Sequence, residues 1–325
     1  MIGSQDWARL GRVSTARPAR SRRASTHLDL VLATAALLLG PIAGPTRAEP
    51  AACPDTPHGF ETFSLLAPAL GWAKRILVYL PAGYDCAPDA RYPVFYLNDG
   101  HDLFDWNPFA AELDPAVAAE IAERRAWYGS WHLENQLDRA IAEGRLPPLI
   151  VVGIAANDGM RSRDLVPVPW SGSFEGRGVQ YGDFVAEIVV PAADSRFPTS
   201  PDRRCRGIGG ASLGGVSALQ IGLAHPERFG MVLAFSPVLG EAAIADYFAR
   251  AWATATPAGP SEWLVDFDDD PIGRADRTWL ETVVATAGER EVVLTQTPAG
   301  RHHIASWAER VVPALARLFA ASCPG

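Results

Sequence analysis

Short runs of apolar, often β-branched residues recur along the chain, separated by longer stretches of mixed polarity. Residues 61–70 and 74–80 read as two strands joined through Gly71 and Trp72. Further apolar runs at 92–97, 149–154, 205–209, 231–235, 263–267 and 291–295 have strand length and no period of 3.6. The run at 149–154 is apolar at successive positions, as expected of a strand covered on both faces. Stretches at 115–125, 133–144, 183–193, 277–287 and 307–321 suit helices. Asp114 followed by Pro115 forms a helix start, because proline at the first helical position gives up an N–H that has no acceptor there. An antiparallel pair followed by strand–helix alternation predicts an α/β fold: a mostly parallel central sheet with helices on both faces. No internal repeat or linker interrupts it, and the irregular stretches 170–181 and 252–260 are expected to be loops at the rim of a site.

The first 48 residues do not share this pattern. Arg9, Arg12, Arg17, Arg20, Arg22 and Arg23 precede an apolar run at 28–43, and Thr46 and Ala48 supply small residues ahead of Glu49. Basic, apolar and small segments in that order predict a secretory signal over 1–48 and a single domain over 49–325. The apolar run is short and interrupted by proline, so an uncleaved anchor is the alternative and a stable membrane anchor is not expected. The expected location is periplasmic or secreted. The formal charge of the whole chain is −8. The leader holds seven arginines against Asp6 and Asp29, so the domain alone is near −13. Such an acidic surface argues against a nucleic-acid partner.

Lys74 is the only lysine, and no phosphate-binding or dinucleotide glycine pattern is present. No organic cofactor is therefore expected, and no spacing of His and Cys predicts a metal. The cysteines are Cys53, Cys86, Cys205 and Cys323, an even number suited to disulfides in an oxidising compartment. Cys53 precedes the first strand of the antiparallel pair and Cys86 follows the second, which brings them together. Cys205 begins one strand and Cys323 ends the final helix, which runs back toward that strand's start. The expected bonds are Cys53–Cys86 and Cys205–Cys323.

Chemistry concentrates at 210–214, which reads Gly-Ala-Ser-Leu-Gly between a strand and a small-residue helix. A strand-to-helix turn this sharp excludes β-carbons on either side of the serine and holds Ser212 strained and exposed. A serine nucleophile needs a base, an orienting acid and an oxyanion hole. With a nucleophile at this kind of turn, the order along the chain is serine, acid, histidine. Only His302 and His303 lie beyond the last strand. The acid is expected after the strand at 263–267, where Asp268, Asp269 and Asp270 follow one another, with Asp276 and Glu281 beyond. A calcium-type cluster or a solvated turn are the other readings of that triplet. The Leu213 amide would be one oxyanion donor. The His101 amide, in the turn at 98–101 where Gly100 admits close approach, would be the second; the same residues also suit a plain turn.

These segments resemble the bacterial esterase family of α/β-hydrolases that includes feruloyl and siderophore esterases, S-formylglutathione hydrolases and mycolyltransferases. The resemblance rests on 96–105 (Y-L-N-D-G-H-D-L-F-D), 147–154 (P-P-L-I-V-V-G-I), 225–230 (H-P-E-R-F-G) with Ser236-Pro237, and 298–302 (P-A-G-R-H) with Trp307. It implies an α/β-hydrolase fold and places His302 at the family's catalytic histidine. The sequence departs from the family at His101-Asp102, at His303-Ile304 and in the acid loop, which lacks the usual glycine-threonine. The expectation is an exported serine ester hydrolase with Ser212, His302 and Asp270, acting on a small-molecule or saccharide-linked ester such as a feruloyl, acetyl-sugar or siderophore ester. Trp106, Phe109, Trp127, Tyr128 and Trp131 would suit an aromatic acyl group or an added packed helix. Arg161 and Arg163 would meet a substrate carboxylate or solvent. An acyltransferase would use the same residues; a non-catalytic binding protein would not need them in this order.

Overall fold

The computed structural model describes residues 57–84, 89–105, 129–156, 159–170, 174–255, 259–286 and 292–324. The leader, Cys53, Cys86, the helix expected at 115–125 and most of the aromatic segment lie outside the described residues. Among the described residues, eight strands form one sheet: β1 (Gly59–Ala67), β2 (Trp72–Leu80), β3 (Val94–Asn98), β4 (Ile150–Ile154), β5 (Arg206–Ala211), β6 (Met231–Phe235), β7 (Glu262–Asp268) and β8 (Val292–Thr297). Their order is β1-β2-β4-β3-β5-β6-β7-β8. β2 is antiparallel to both β1 and β4, and every pairing from β4 to β8 is parallel.

The helices are α1 (Leu133–Ala142), α2 (Arg161–Leu165), α3 (Gly178–Phe184), α4 (Val190–Arg196), α5 (Leu213–Ala224), α6 (Ala242–Thr254), α7 (Pro271–Thr286) and α8 (Ile304–Ser322). A π turn, Val185–Val189, joins α3 to α4. Side chains alternate across each strand, so the sheet has an apolar core on each face. Ile76, Val78 and Leu80 join Val216, Leu219, Phe248 and Leu280, from α5, α6 and α7, on one side. Leu77 and Tyr79 join Leu133, Leu137, Val311 and Leu315, from α1 and α8, on the other.

Two departures from the sequence pattern affect the site. The stretch at 252–260 begins as helix, and 256–258 lie outside the described residues. α6 continues to Thr254 and buries Trp252 against Trp263, with ring centroids 5.0 Å apart. Beyond α6 the chain is anchored by Arg203, whose guanidinium donates to the carbonyls of Pro226 and Gly259. This anchor lies beside the starts of β5 and β7, at the end of these strands opposite Ser212. The stretch at 170–181 is helical from Gly178 onward. Cys205 and Cys323 are joined by a disulfide across a separation of 118 residues, tying the start of β5 to the end of α8.

Candidate active site

The carboxyl ends of parallel strands are where open α/β sheets place ligands, and the serine, acid and histidine segments all arrive there. Ser212 links β5 to α5 with φ 57° and ψ −123°, a conformation that a non-glycine residue holds only under constraint. The constraint is close packing. A β-carbon on Gly210 would lie 2.6 Å from the Gly214 carbonyl carbon, and one on Gly214 would lie 2.9 Å from Asp99 Oδ2. The Ser212 amide donates to the Phe235 carbonyl at 2.9 Å, holding the turn to the end of β6. The serine is thus forced outward at the carboxyl end of β5.

His302 reaches the serine from the loop between β8 and α8. Its Nε2 lies 2.9 Å from Ser212 Oγ and its Nδ1 lies 3.1 Å from Asp268 Oδ2. The imidazole is 44% exposed, whereas the side chain of Asp268 is only 3% exposed. A solvent-facing base is thereby backed by a sheltered carboxylate. The indole of Trp307 stands edge-on to the imidazole at 5.1 Å and donates to Ser236 Oγ at 3.0 Å. The neighbouring His303 points elsewhere: it caps α8, its Nδ1 accepting from the Ala305 amide at 3.2 Å.

The acid expectation needs correction. Asp270 does not meet His302. Its Oδ1 accepts the Gly273 amide at 2.7 Å, and its carbonyl accepts the Arg274 amide, so it serves the first turn of α7. Asp269 pairs with Arg274 at 2.7 Å, and Glu281 pairs with Arg277 at 2.9 Å. Asp276 accepts the Leu239 amide at 3.1 Å. Asp268 takes the place because β7 extends one residue beyond the apolar run and ends on it. Burial alone would raise the Asp268 carboxyl. Hydrogen bonds from His302 and Ser236 and the charge of Arg310 outweigh this and hold it below the ordinary carboxylate value. For Asp276 burial wins, with the Asp270 charge adding to it, and its carboxyl is held above that value.

Leu213 is the first residue of α5, so its amide has no acceptor within the helix. His101 lies in a short 3-10 turn, Gly100–Asp102, directly after β3. Gly100 is needed there by packing within the protein: a β-carbon would lie 2.4 Å from the Gly153 carbonyl carbon of β4. The His101 imidazole accepts from the Ala156 amide at 3.3 Å and has Asp102 3.4 Å from its other nitrogen. Asp99 occupies the left-handed region with φ 59°. Arg161 grips it through both oxygens, at 2.7 and 2.8 Å, and is therefore a structural partner of this turn rather than a solvated cation. Behind it, Tyr181 donates to Asn98 at 2.7 Å, and Asn98 donates to the Gly214 carbonyl at 2.8 Å, linking the end of β3 to α5. The sole lysine, Lys74, is buried against Asp164. Trp131 is buried against Phe235, with ring centroids 6.2 Å apart, and so packs in the core rather than walling a cleft.

Sequence reasoning missed Asp266, Ser236 and Arg310. Arg310, buried on α8, reaches Asp266 and also donates to Asp268 Oδ1 at 3.2 Å. The spacing Asp266-x-Asp268 was the available signal, since strand residues two apart share a face.

A strained serine at a strand–helix turn, with a carboxylate at the end of a later strand and a histidine on the loop after the last one, defines an α/β-hydrolase fold on a mainly parallel sheet. The chain belongs to the family described as "Putative esterase", whose model matches residues 67–310. Its curated relatives include the uncharacterized protein YjcH of Bacillus subtilis strain 168, 28% identical over 162 residues, which are 50% of this chain and 55% of that one. The chain thus spans about half the length of this relative and, at 54%, of the Bacillus subtilis protein YbbA. Among solved structures, a ferulic acid esterase has a TM-score of 0.59 at 21% identity, covering 81% of this chain and 98% of its own. The enterobactin esterase FES from Shigella flexneri has a TM-score of 0.61 at 19% identity, covering 82% of this chain and 61% of its own.

Proposed function

We propose that the protein is a serine carboxylic-ester hydrolase in which Ser212, His302 and Asp268 do the chemistry. The observation that carries this reading is the pair of contacts on one imidazole, 2.9 Å to Ser212 Oγ and 3.1 Å to Asp268 Oδ2. His302 takes the Ser212 proton as Oγ attacks the ester carbonyl, then passes it to the departing alcohol, leaving an acyl-serine. Water, deprotonated by the same imidazole, releases the acid and restores the serine. Asp268 stabilises the charged imidazolium formed in both halves. The Leu213 and His101 amides receive the developing oxyanion, where each donor contributes roughly 3–4 kcal/mol in comparable sites.

The neighbours' names, ferulic acid esterase and enterobactin esterase, support as substrate an ester that carries a phenolic group. The domain runs from residue 49 and works outside the cytoplasm after removal of the leader; the Cys205–Cys323 bond supports an oxidising compartment. The reading is tested by labelling the protein with a fluorophosphonate and measuring hydrolysis of p-nitrophenyl acetate, methyl ferulate and a catecholate siderophore triester. Ser212→Ala should abolish both labelling and turnover. Labelling that persists in that variant would remove Ser212 from the mechanism, and turnover of acetate alone would remove the phenolic substrate.

A further inference from the structure

We propose that Arg310 is a positioning residue of this site, a guanidinium that keeps Asp268 charged and turned toward His302. The inference rests on the hydrolase reading above and extends it to a residue that touches neither serine nor histidine.

Asp266 and Asp268 are two residues apart on β7, so their carboxylates leave the same face of the strand, with roots roughly 7 Å apart. Both are buried. Two sheltered carboxylates on one face of a strand call for a cation and hydrogen-bond donors between them. Arg310 lies between them. Its Nη1 donates to Asp266 Oδ2 and its Nη2 donates to Asp268 Oδ1 at 3.2 Å. Its Nε donates to the Ser306 carbonyl of its own helix at 2.8 Å, and its plane lies 5.4 Å from the centre of the Phe235 ring. Every nitrogen of the fork is engaged, so the group has one orientation.

Asp266 is fixed in turn from the adjacent strand. Thr295 donates to its Oδ1 at 2.6 Å, and Thr297 lies 3.0 Å from both of its oxygens. The chain of restraint therefore runs from β8 through Asp266 and Arg310 to Asp268 Oδ1. That leaves Asp268 Oδ2 for the His302 Nδ1 proton. A lysine would supply the charge but not a planar fork able to hold two carboxylates. Other charged groups on the surrounding elements include Asp269 and Asp270 after β7, Asp276 on α7, Glu309 on α8, and Arg301 and His303 beside His302. Asp269 is paired with Arg274, and Asp270, Asp276 and His303 each accept a backbone amide. Among the described residues, only Arg310 donates to Asp268 from a charged side chain other than His302.

The test is the pH dependence of kcat and kcat/KM for p-nitrophenyl acetate in the wild type, Arg310→Met, Arg310→Lys and the double variant Asp266→Asn with Arg310→Met. Arg310→Met should lose about thirtyfold or more in kcat with KM within about threefold, and its acidic limb should move up by about half a pH unit or more. Arg310→Lys should keep the limb near its wild-type position while recovering only part of kcat. The double variant preserves net charge, so its limb should return while kcat stays about tenfold down, because Asp268 Oδ1 is still unheld. A folded Arg310→Met enzyme with wild-type kcat and limb would overturn the inference. If that variant is insoluble, the double variant decides, and kcat within about threefold of wild type overturns it. Asp268→Asn is measured in parallel. If it retains full activity, Asp268 is not the acid and the role of Arg310 falls with it, while hydrolysis by Ser212 and His302 stands; if it is inactive while Arg310→Met is normal, only the role of Arg310 fails.

Discussion

Replacing Asp268 by asparagine removes one negative charge and changes almost nothing in volume. The carboxylate oxygen is 3.1 Å from His302 Nδ1, which puts the two charge centres about 4 Å apart when the imidazole is protonated. At an effective dielectric of about 20 that pair is worth about 4 kcal/mol, or roughly a thousandfold in rate. An asparagine NH₂ turned toward Nδ1 would also favour the tautomer with its proton on Nε2, which cannot accept from Ser212. The expected loss in kcat is therefore about 10³–10⁴-fold. The fold should survive, because Arg310 keeps Asp266 as its partner. The control is Asp270→Ala, which removes the acceptor for the Gly273 amide at the start of α7. Losing such a cap costs about 1 kcal/mol of stability and should leave kcat within about threefold. Both variants are assayed by initial rates on p-nitrophenyl acetate, with a thermal melt of each preparation. A large kcat loss in Asp270→Ala beside more than about a tenth of wild-type activity in Asp268→Asn would refute the assignment of the acid.

His302→Ala should lose kcat by about three orders of magnitude or more. His303→Ala should lower the melting temperature slightly, through the lost cap of α8, and change kcat little; the opposite ranking of the pair would exchange their roles. Opening the Cys205–Cys323 bond by alanine at both positions releases a 118-residue loop. The chain-entropy estimate for that length is about 4–5 kcal/mol, so the urea midpoint should fall markedly; an unchanged midpoint would mean the bond does not restrain the unfolded chain. The raised carboxyl of Asp276 binds its proton more tightly folded than unfolded. Its contribution to stability is therefore present below the ordinary carboxyl value and is lost as pH rises through the raised one. Asp276→Asn should flatten that part of the stability–pH curve, seen as melting temperature against pH from acid to neutral, whereas a curve that still falls there would assign the loss to another group.

What could be read from the chain and what could not divide by the range of the physics involved. The Ser212 turn was legible because its constraint is local: glycines at 210 and 214 are demanded by atoms within a few residues and by the 98–99 turn. The alternation of parallel strands and helices followed from the same economy, as each apolar run needed a helix to return the chain, whereas the placing of β4 ahead of β3 in the sheet was not read from it. The π turn at Val185–Val189 and the reach of α6 to Thr254 were not legible, because packing set them. Trp252 looked like a loop aromatic until Trp263 gave it a partner from a later strand. At Gly100 the packing demand was not legible, since nothing in the sequence says that Gly153 lies beneath it.

The acid shows the division most clearly. Asp268, Asp269 and Asp270 are equivalent as letters, and an apolar run that stops at Phe267 makes all three look like loop residues. Pairing decides among them. β8 continues to Thr297, opposite Asp268 in the parallel register, and so carries β7 one residue past its apolar part. A residue inside a strand has its side chain committed to one face, and Asp266 has already defined that face as the one toward α8. Asp268 must follow it by the two-residue period, while Asp269 faces away and Asp270 falls into the turn that starts α7. A carboxylate drawn under α8 stays ionised only beside compensating charge, and Arg310, six residues into that helix, sits there. The same helix begins just after His302. One element therefore brings the imidazole to the front of Asp268 and the guanidinium to its back, and the choice of acid is made by the helix that neither apolar patterning nor motif spacing had connected to it.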